Sequence, residues 1–241
     1  MEMKQKVKKS IYTLIIVSIL GISSFSVCAK EGFTVCIDPG HQAKGDPRGE
    51  PIAPGSANKK ARVSSGTSGV GTKKAEYQVN LEAALILKEI LQARGYTVVM
   101  TRESNEVNVS NSERAQIANQ AKADMTIRLH CDSINNGGKR GAVLLVPAQK
   151  GTHTAPIYEA SYQYAKALKA SLQNQGVKVN GIFERSDMTG FNWSTVPVVI
   201  FEMGFMSNWS EDRMLSDKAY QTKLMEAAAV ALDSYSQETS R

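Results

Sequence analysis

Two of the three histidines in this 241-residue chain, His41 and His130, stand at the ends of apolar runs, and so does Glu202. His41 follows "VCIDPG", His130 closes "DMTIRL" and Glu202 closes "VPVVIF"; a second glutamate, Glu76, opens a periodic segment after a long polar stretch. Two imidazoles and one carboxylate, with a position left for water, form the ligand set of many catalytic zinc sites. A further carboxylate is then free to take and return a proton. Ligands scattered over separate elements form no compact motif, so the fold must bring them together. Each residue also has a plainer role open to it. A strand-end histidine can be a hydrogen-bonded structural residue, and Glu76 in a first helical turn complements the helix dipole. Glu202 is harder to explain in that way, because a carboxylate between "VPVVIF" and "MGF" is expected to be buried, where lacking a partner or a task is costly.

Elements with the right ends are readable around these residues. Apolar runs predict strands over residues 33–37, 96–101, 124–130, 141–147 and 196–202. Helical spacing runs from Ala75 through Leu81, Ala84, Leu85, Lys88 and Leu91, and stops at Gly95. Further helices are predicted over residues 110–123, 155–176 and 217–236. Strands interleaved with helices in this way predict one α/β domain, a mostly parallel central sheet with helices on both faces. Ligands of such sheets gather at the carboxyl ends of the strands. Residues 42–74 have no apolar period and are dense in Gly, Pro and Ser, and a loop of that length in a compact domain is usually functional.

The first 29 residues stand apart from that domain. Lys4, Lys6, Lys8 and Lys9 precede the apolar stretch "IYTLIIVSILGISSFSV", and Val27 and Ala29 fit small-x-small cleavage before Lys30. This reads as a secretory signal peptide, with an uncleaved anchor and a lipoprotein using Cys28 as the alternatives. Without the leader's four lysines and Glu2 the chain keeps 25 basic and 22 acidic residues, a net +3 too mild for a nucleic-acid partner. Membrane contact is expected only through the N-terminal segment. Cys36 and Cys131, the two cysteines beyond the leader, are either plain core residues or one disulfide, and neither arrangement could staple a fold of this size.

The segments "VCIDPGH", "KKAEYQVNL", "TIRLHCDS" and "VPVVIFEMGFMSN", in this order, resemble the zinc-dependent N-acetylmuramoyl-L-alanine amidases of the amidase-3 family. The resemblance covers nearly all of residues 30–241, the expected catalytic domain, and implies His41, Glu76 and His130 as ligands of one Zn2+ and Glu202 as the catalytic carboxylate. It implies cleavage of the amide between N-acetylmuramic acid and the L-alanine of the stem peptide, in a secreted or wall-associated enzyme with peptidoglycan as its partner and an activator or targeting protein beside it. It also implies that Asp38-Pro39-Gly40 is a turn lifting His41 towards the metal. A zinc carboxypeptidase on the stem peptide and a non-catalytic wall-binding protein of the same fold are the rival readings. Where the family commonly has serine, alanine and asparagine around the third ligand, this chain has Arg128, Cys131 and Asp132. Arg128 points to the same strand face as His130, either to bind a substrate carboxylate or to pair with a neighbouring acid. Cys131 either competes for metal or packs away. Asn80, one turn after Glu76, either orients a ligand or packs its helix. Phe191, Asn192 and Trp193 either wall the substrate or fill the core, and His153 reads as a surface residue.

Overall fold

The β-branched runs around His41, His130 and Glu202 form adjacent strands of one sheet in the computed structural model, which describes residues 32–239. The expected leader lies outside the described residues. In chain order the elements are β1 (Thr34–Pro39), β2 (Asp46–Pro51), β3 (Lys59–Val63), α1 (Glu76–Ala93), β4 (Thr97–Met100), α2 (Asn111–Gln120) and β5 (Met125–Asp132). There follow β6 (Ala142–Pro147), α3 (Ala155–Asn174), β7 (Val179–Arg185), α4 (Thr189–Asn192), β8 (Val198–Phe205), α5 (Trp209–Leu215) and α6 (Lys218–Thr239). The six-stranded sheet has the order β4-β1-β5-β8-β6-β7, mostly parallel as expected, with β6 antiparallel to β8. That reversal has a local cause. No helix separates β5 from β6, and a parallel return needs a crossover.

Alternation along the strands sends side chains to two unlike faces. Val35, Ile37, Ile127, Leu129 and Phe201 join Leu87 of α1, Leu168 of α3 and Leu232 of α6 in the main core. On the opposite face Cys36 meets Ala118 of α2, while Val143, Leu145 and Ile200 meet Phe191 of α4 and Ile157 at the start of α3. Cys36 and Cys131 are both buried and free, in different clusters, so the disulfide alternative is excluded and both act as core residues.

Three sequence expectations change. Residues 42–74 are not structureless, since β2 and β3 pair as an antiparallel hairpin with a bulge between Asp46 and Gly49. Its signal is ionic rather than apolar: Asp46 pairs with Arg48 at 2.6 Å and Arg62 at 3.0 Å, and Glu50 accepts from the Ser112 hydroxyl at 2.6 Å. The edge strand β7 and helix α5 escape the sequence patterns, the first through its partly exposed faces and the second through its two-turn length. Asp38-Pro39-Gly40 is no turn either. Asp38 and Pro39 stay in β1, Gly40 donates its N–H to Leu129 O at 2.9 Å, and the chain departs at His41 itself, whose φ is +61°.

Asp38 then has a different task. Its buried carboxylate accepts from Arg114 Nη1 at 2.7 Å, Arg128 Nε at 2.6 Å and Thr101 Oγ1 at 2.5 Å, tying β1 to α2 and β5. Burial disfavours that charge, but Arg114 and Arg128 outweigh it and hold the carboxyl well below the usual carboxylate range. A depressed native pKa contributes stability that is full above the unfolded value near 4 and is lost as pH falls below it. Asp38→Asn is expected to lower unfolding free energy at pH 7 by about 3–5 kcal/mol, because it strands two buried guanidinium groups. Urea denaturation checks this, and a loss below about 1 kcal/mol would contradict the pairing.

Candidate metal centre

His41, Glu76 and His130 converge. His41 Nε2 lies 3.1 Å from Glu76 Oε1, His130 Nδ1 lies 3.2 Å from the same oxygen, and the two ring nitrogens are 3.1 Å apart. The three form the one cluster of potential metal ligands found among the described residues. His41 Nδ1 faces Ser64 O at 2.9 Å, an acceptor, so that nitrogen carries the proton and Nε2 presents its lone pair. Burial is the largest influence on His130 and pushes it down to about 4 against the pull of Glu76, which keeps the ring neutral at pH 7. Two imidazole lone pairs and a carboxylate oxygen facing each other repel unless a cation sits among them. Edges of this length suit ligand bonds of about 2.0–2.1 Å, so the residues present fit a zinc ion.

Glu76 is aimed by its surroundings. Oε2 accepts from Thr67 N at 3.0 Å, and Oε1 accepts from Cys131 N at 3.1 Å and Asn80 Nδ2 at 3.3 Å. Burial would raise this carboxyl, but the His130 and His41 rings beside it bring it below the ordinary range. Asn80 also donates to Gly40 O at 3.2 Å, which decides for its orienting role. Two glycines let the backbone close in. A Cβ at Gly40 would run into the His130 ring, and one at Gly66, where φ is +80°, would come within 2.6 Å of Glu76 Oε2 and 2.9 Å of His41 Cδ2.

Glu202 lies beside this triangle, paired with His130 in register across β5 and β8. Both side chains leave a closed-off atom without a protein partner, His130 Nε2 and Glu202 Oε2. Burial pushes the Glu202 carboxyl well above the usual range, and the charges of Glu76 and Asp132 add to that effect while Arg128 and Arg185 oppose it. A carboxyl whose affinity for a proton is raised in this way is a better proton acceptor than an exposed glutamate.

Cys131 turns its thiol away from the triangle, to Asn80 Oδ1 at 3.7 Å. Trp193 Nε1 donates to Pro51 O at 2.9 Å, Asn192 donates to Ile52 O at 3.1 Å and Phe191 is fully buried, so this segment fastens α4 to the hairpin. His153 stands in the turn before α3 and outside the ligand cluster. Sequence reasoning missed Ser64, Gly66 and Thr67, which lie in an aperiodic Gly/Ser-rich stretch and are linked to the site only by the fold. It missed Arg102 as well, a buried guanidinium that donates to Pro39 O at 2.9 Å and Gly40 O at 3.0 Å and so secures the strand end before His41.

Gly66→Ala is therefore expected to weaken zinc binding about tenfold or more, in the range seen when groups supporting a ligand are altered. Competition with a chromophoric chelator measures it. Unchanged affinity would contradict the close approach.

A model of the Amidase_3 family, described as N-acetylmuramoyl-L-alanine amidase, matches residues 35–234. An N-acetylmuramoyl-L-alanine amidase of Mycobacterium tuberculosis is 28% identical over 205 residues, covering 81% of this chain and 83% of that protein. A probable cell wall amidase of Staphylococcus saprophyticus is 26% identical over 205 residues, covering 85% of this chain, which spans only 59% of that relative's length. The crystal structure of an apo N-acetylmuramyl-L-alanine amidase from Mycobacterium abscessus superposes with a TM-score of 0.77 at 25% identity, covering 85% of this chain and 98% of that one. With the family pattern running through nearly the whole described domain and the same α/β architecture beneath it, the chain belongs to the N-acetylmuramoyl-L-alanine amidase family Amidase_3.

Proposed function

We propose that this chain hydrolyses the amide between N-acetylmuramic acid and the L-alanine of the peptidoglycan stem, with one Zn2+ held by His41, Glu76 and His130 and with Glu202 as the catalytic carboxylate. The carrying observation is the triangle of His41 Nε2, Glu76 Oε1 and His130 Nδ1, with Glu202 on the neighbouring strand. Zinc bound there supplies Lewis acidity towards both water and the scissile carbonyl. Ser64 O keeps His41 in the tautomer that offers Nε2, while Thr67 N, Cys131 N and Asn80 keep Glu76 from rotating. Glu202 takes a proton from the attacking water and returns it to the leaving nitrogen, freeing the α-amino group of the alanine. Family membership and the complete residue set favour this reading over a stem carboxypeptidase or a non-catalytic wall binder.

The leader reading of residues 1–29 belongs to the same proposal, which places the catalytic domain, residues 30–241, outside the membrane in or near the wall. An activator or targeting protein is part of it. The names of relatives such as the staphylococcal cell wall amidase support the wall location.

Glu202→Gln is expected to retain zinc and lose about 10²–10⁴-fold in kcat on purified peptidoglycan, the scale of general acid–base catalysis. Undiminished turnover would remove the proposed mechanism. Product mass spectrometry should show a freed α-amino group on L-alanine. A new carboxyl terminus within the stem peptide would point to a carboxypeptidase instead.

A further inference from the structure

Arg128 is more than the structural partner of Asp38. Its side chain is 6% exposed and is fixed at two points, Nε on Asp38 at 2.6 Å and Nη2 on Asn111 Oδ1 at 3.0 Å. No described residue accepts from Nη1, yet that nitrogen is not among the sealed, unpartnered atoms. It faces a cavity of about 110 Å³ whose wall includes Lys60 of the hairpin and Asn111, Asp187, Thr189 and Gly190 around it. A Cβ at Gly190 would collide with Nη1, so the glycine keeps this nitrogen accessible. The cavity therefore lies between the 42–74 stretch and the segment that carries Phe191, Asn192 and Trp193.

Charge and position set the ligand. The wall of the cleft carries two cations, Arg128 and Lys60, against one carboxylate, Asp187, which Lys60 shares with Arg185. The volume holds several waters and hence a carboxylate group. Arg128 precedes His130 by two residues on the same strand face, about 7 Å along β5. That is one to two residues of an extended peptide from the metal triangle.

We propose that Arg128, assisted by Lys60, forms a subsite for the free carboxylate on the stem-peptide residue next to the L-alanine. The subsite rests on the amidase reading and adds to it a preference for stems in which that carboxylate is not amidated. The guanidinium is immobilised before substrate arrives, so little ordering is needed when the carboxylate meets it.

The test compares two muramoyl peptides that differ only in a free carboxylate or a carboxamide at that residue, with the zinc-loaded mature chain. The free acid is expected to be cleaved with at least about tenfold higher kcat/KM, the scale of a hydrogen bond to a charged group. Arg128→Gln should bring the ratio close to one, and Lys60→Gln should reduce it about threefold or more. Because each ratio is taken within one enzyme sample, a loss of folded protein cancels. A wild-type ratio near one, as a wall-phosphate subsite would give, overturns the proposal. So does an Arg128→Gln ratio equal to the wild type's, or, should that variant fail to fold, an unchanged ratio in Lys60→Gln. Cleavage of neither peptide by the wild type would instead strike the amidase reading itself.

Discussion

The buried carboxylate of Asp38, shared by Arg114 and Arg128, is the interaction on which the site depends. It joins β1, α2 and β5 at the level where β1 ends, and His41 leaves the sheet three residues later with a positive φ that costs about 1 kcal/mol or more unless its surroundings enforce it. Arg114 and Arg102 supply that enforcement by gripping carbonyl oxygens of Pro39, Gly40 and His41. Three guanidinium groups thus serve as a rigid backing for one histidine.

The rest of the centre follows from strand alternation and from close backbone approach. His130 and Glu202 share the face opposite the main core because β5 and β8 are in parallel register, and the apolar residues that alternate with them along the two strands go to the face packed under α1, α3 and α6. Glu76 reaches the same point from the start of α1 because Gly40 and Gly66 leave no side chain in its way or in that of His130. Burial then acts in two directions: it keeps His130 neutral and able to donate its lone pair, and it makes Glu202 hold a proton more tightly than an exposed glutamate would.

Much of this was legible in the sequence where residue type and period carry the signal. The strands that carry His130 and Glu202, the helix opening at Glu76 and the α/β class all announce themselves as apolar runs of the right period, although β5 runs on to Asp132 and β8 to Phe205, past the expected ends at His130 and Glu202. The hairpin β2–β3 did not, since Asp46, Arg48, Glu50 and Arg62 hold it by charge. Nor did the shape of "DPGH": Asp-Pro-Gly is a turn signal in isolation, but two arginines from distant elements pull Asp38 into the sheet. Arg128 was recognised as unusual without its partner being readable, because Asp38 and Asn111 come from elsewhere in the chain.

X-ray absorption at the zinc edge of the zinc-loaded protein reads the ligand atoms themselves. Ligation by His41, Glu76 and His130 predicts nitrogen and oxygen neighbours only, with two imidazole rings visible by their longer-range scattering. A sulfur at about 2.3 Å, which would place Cys131 on the metal, or a shell without two imidazoles would contradict it.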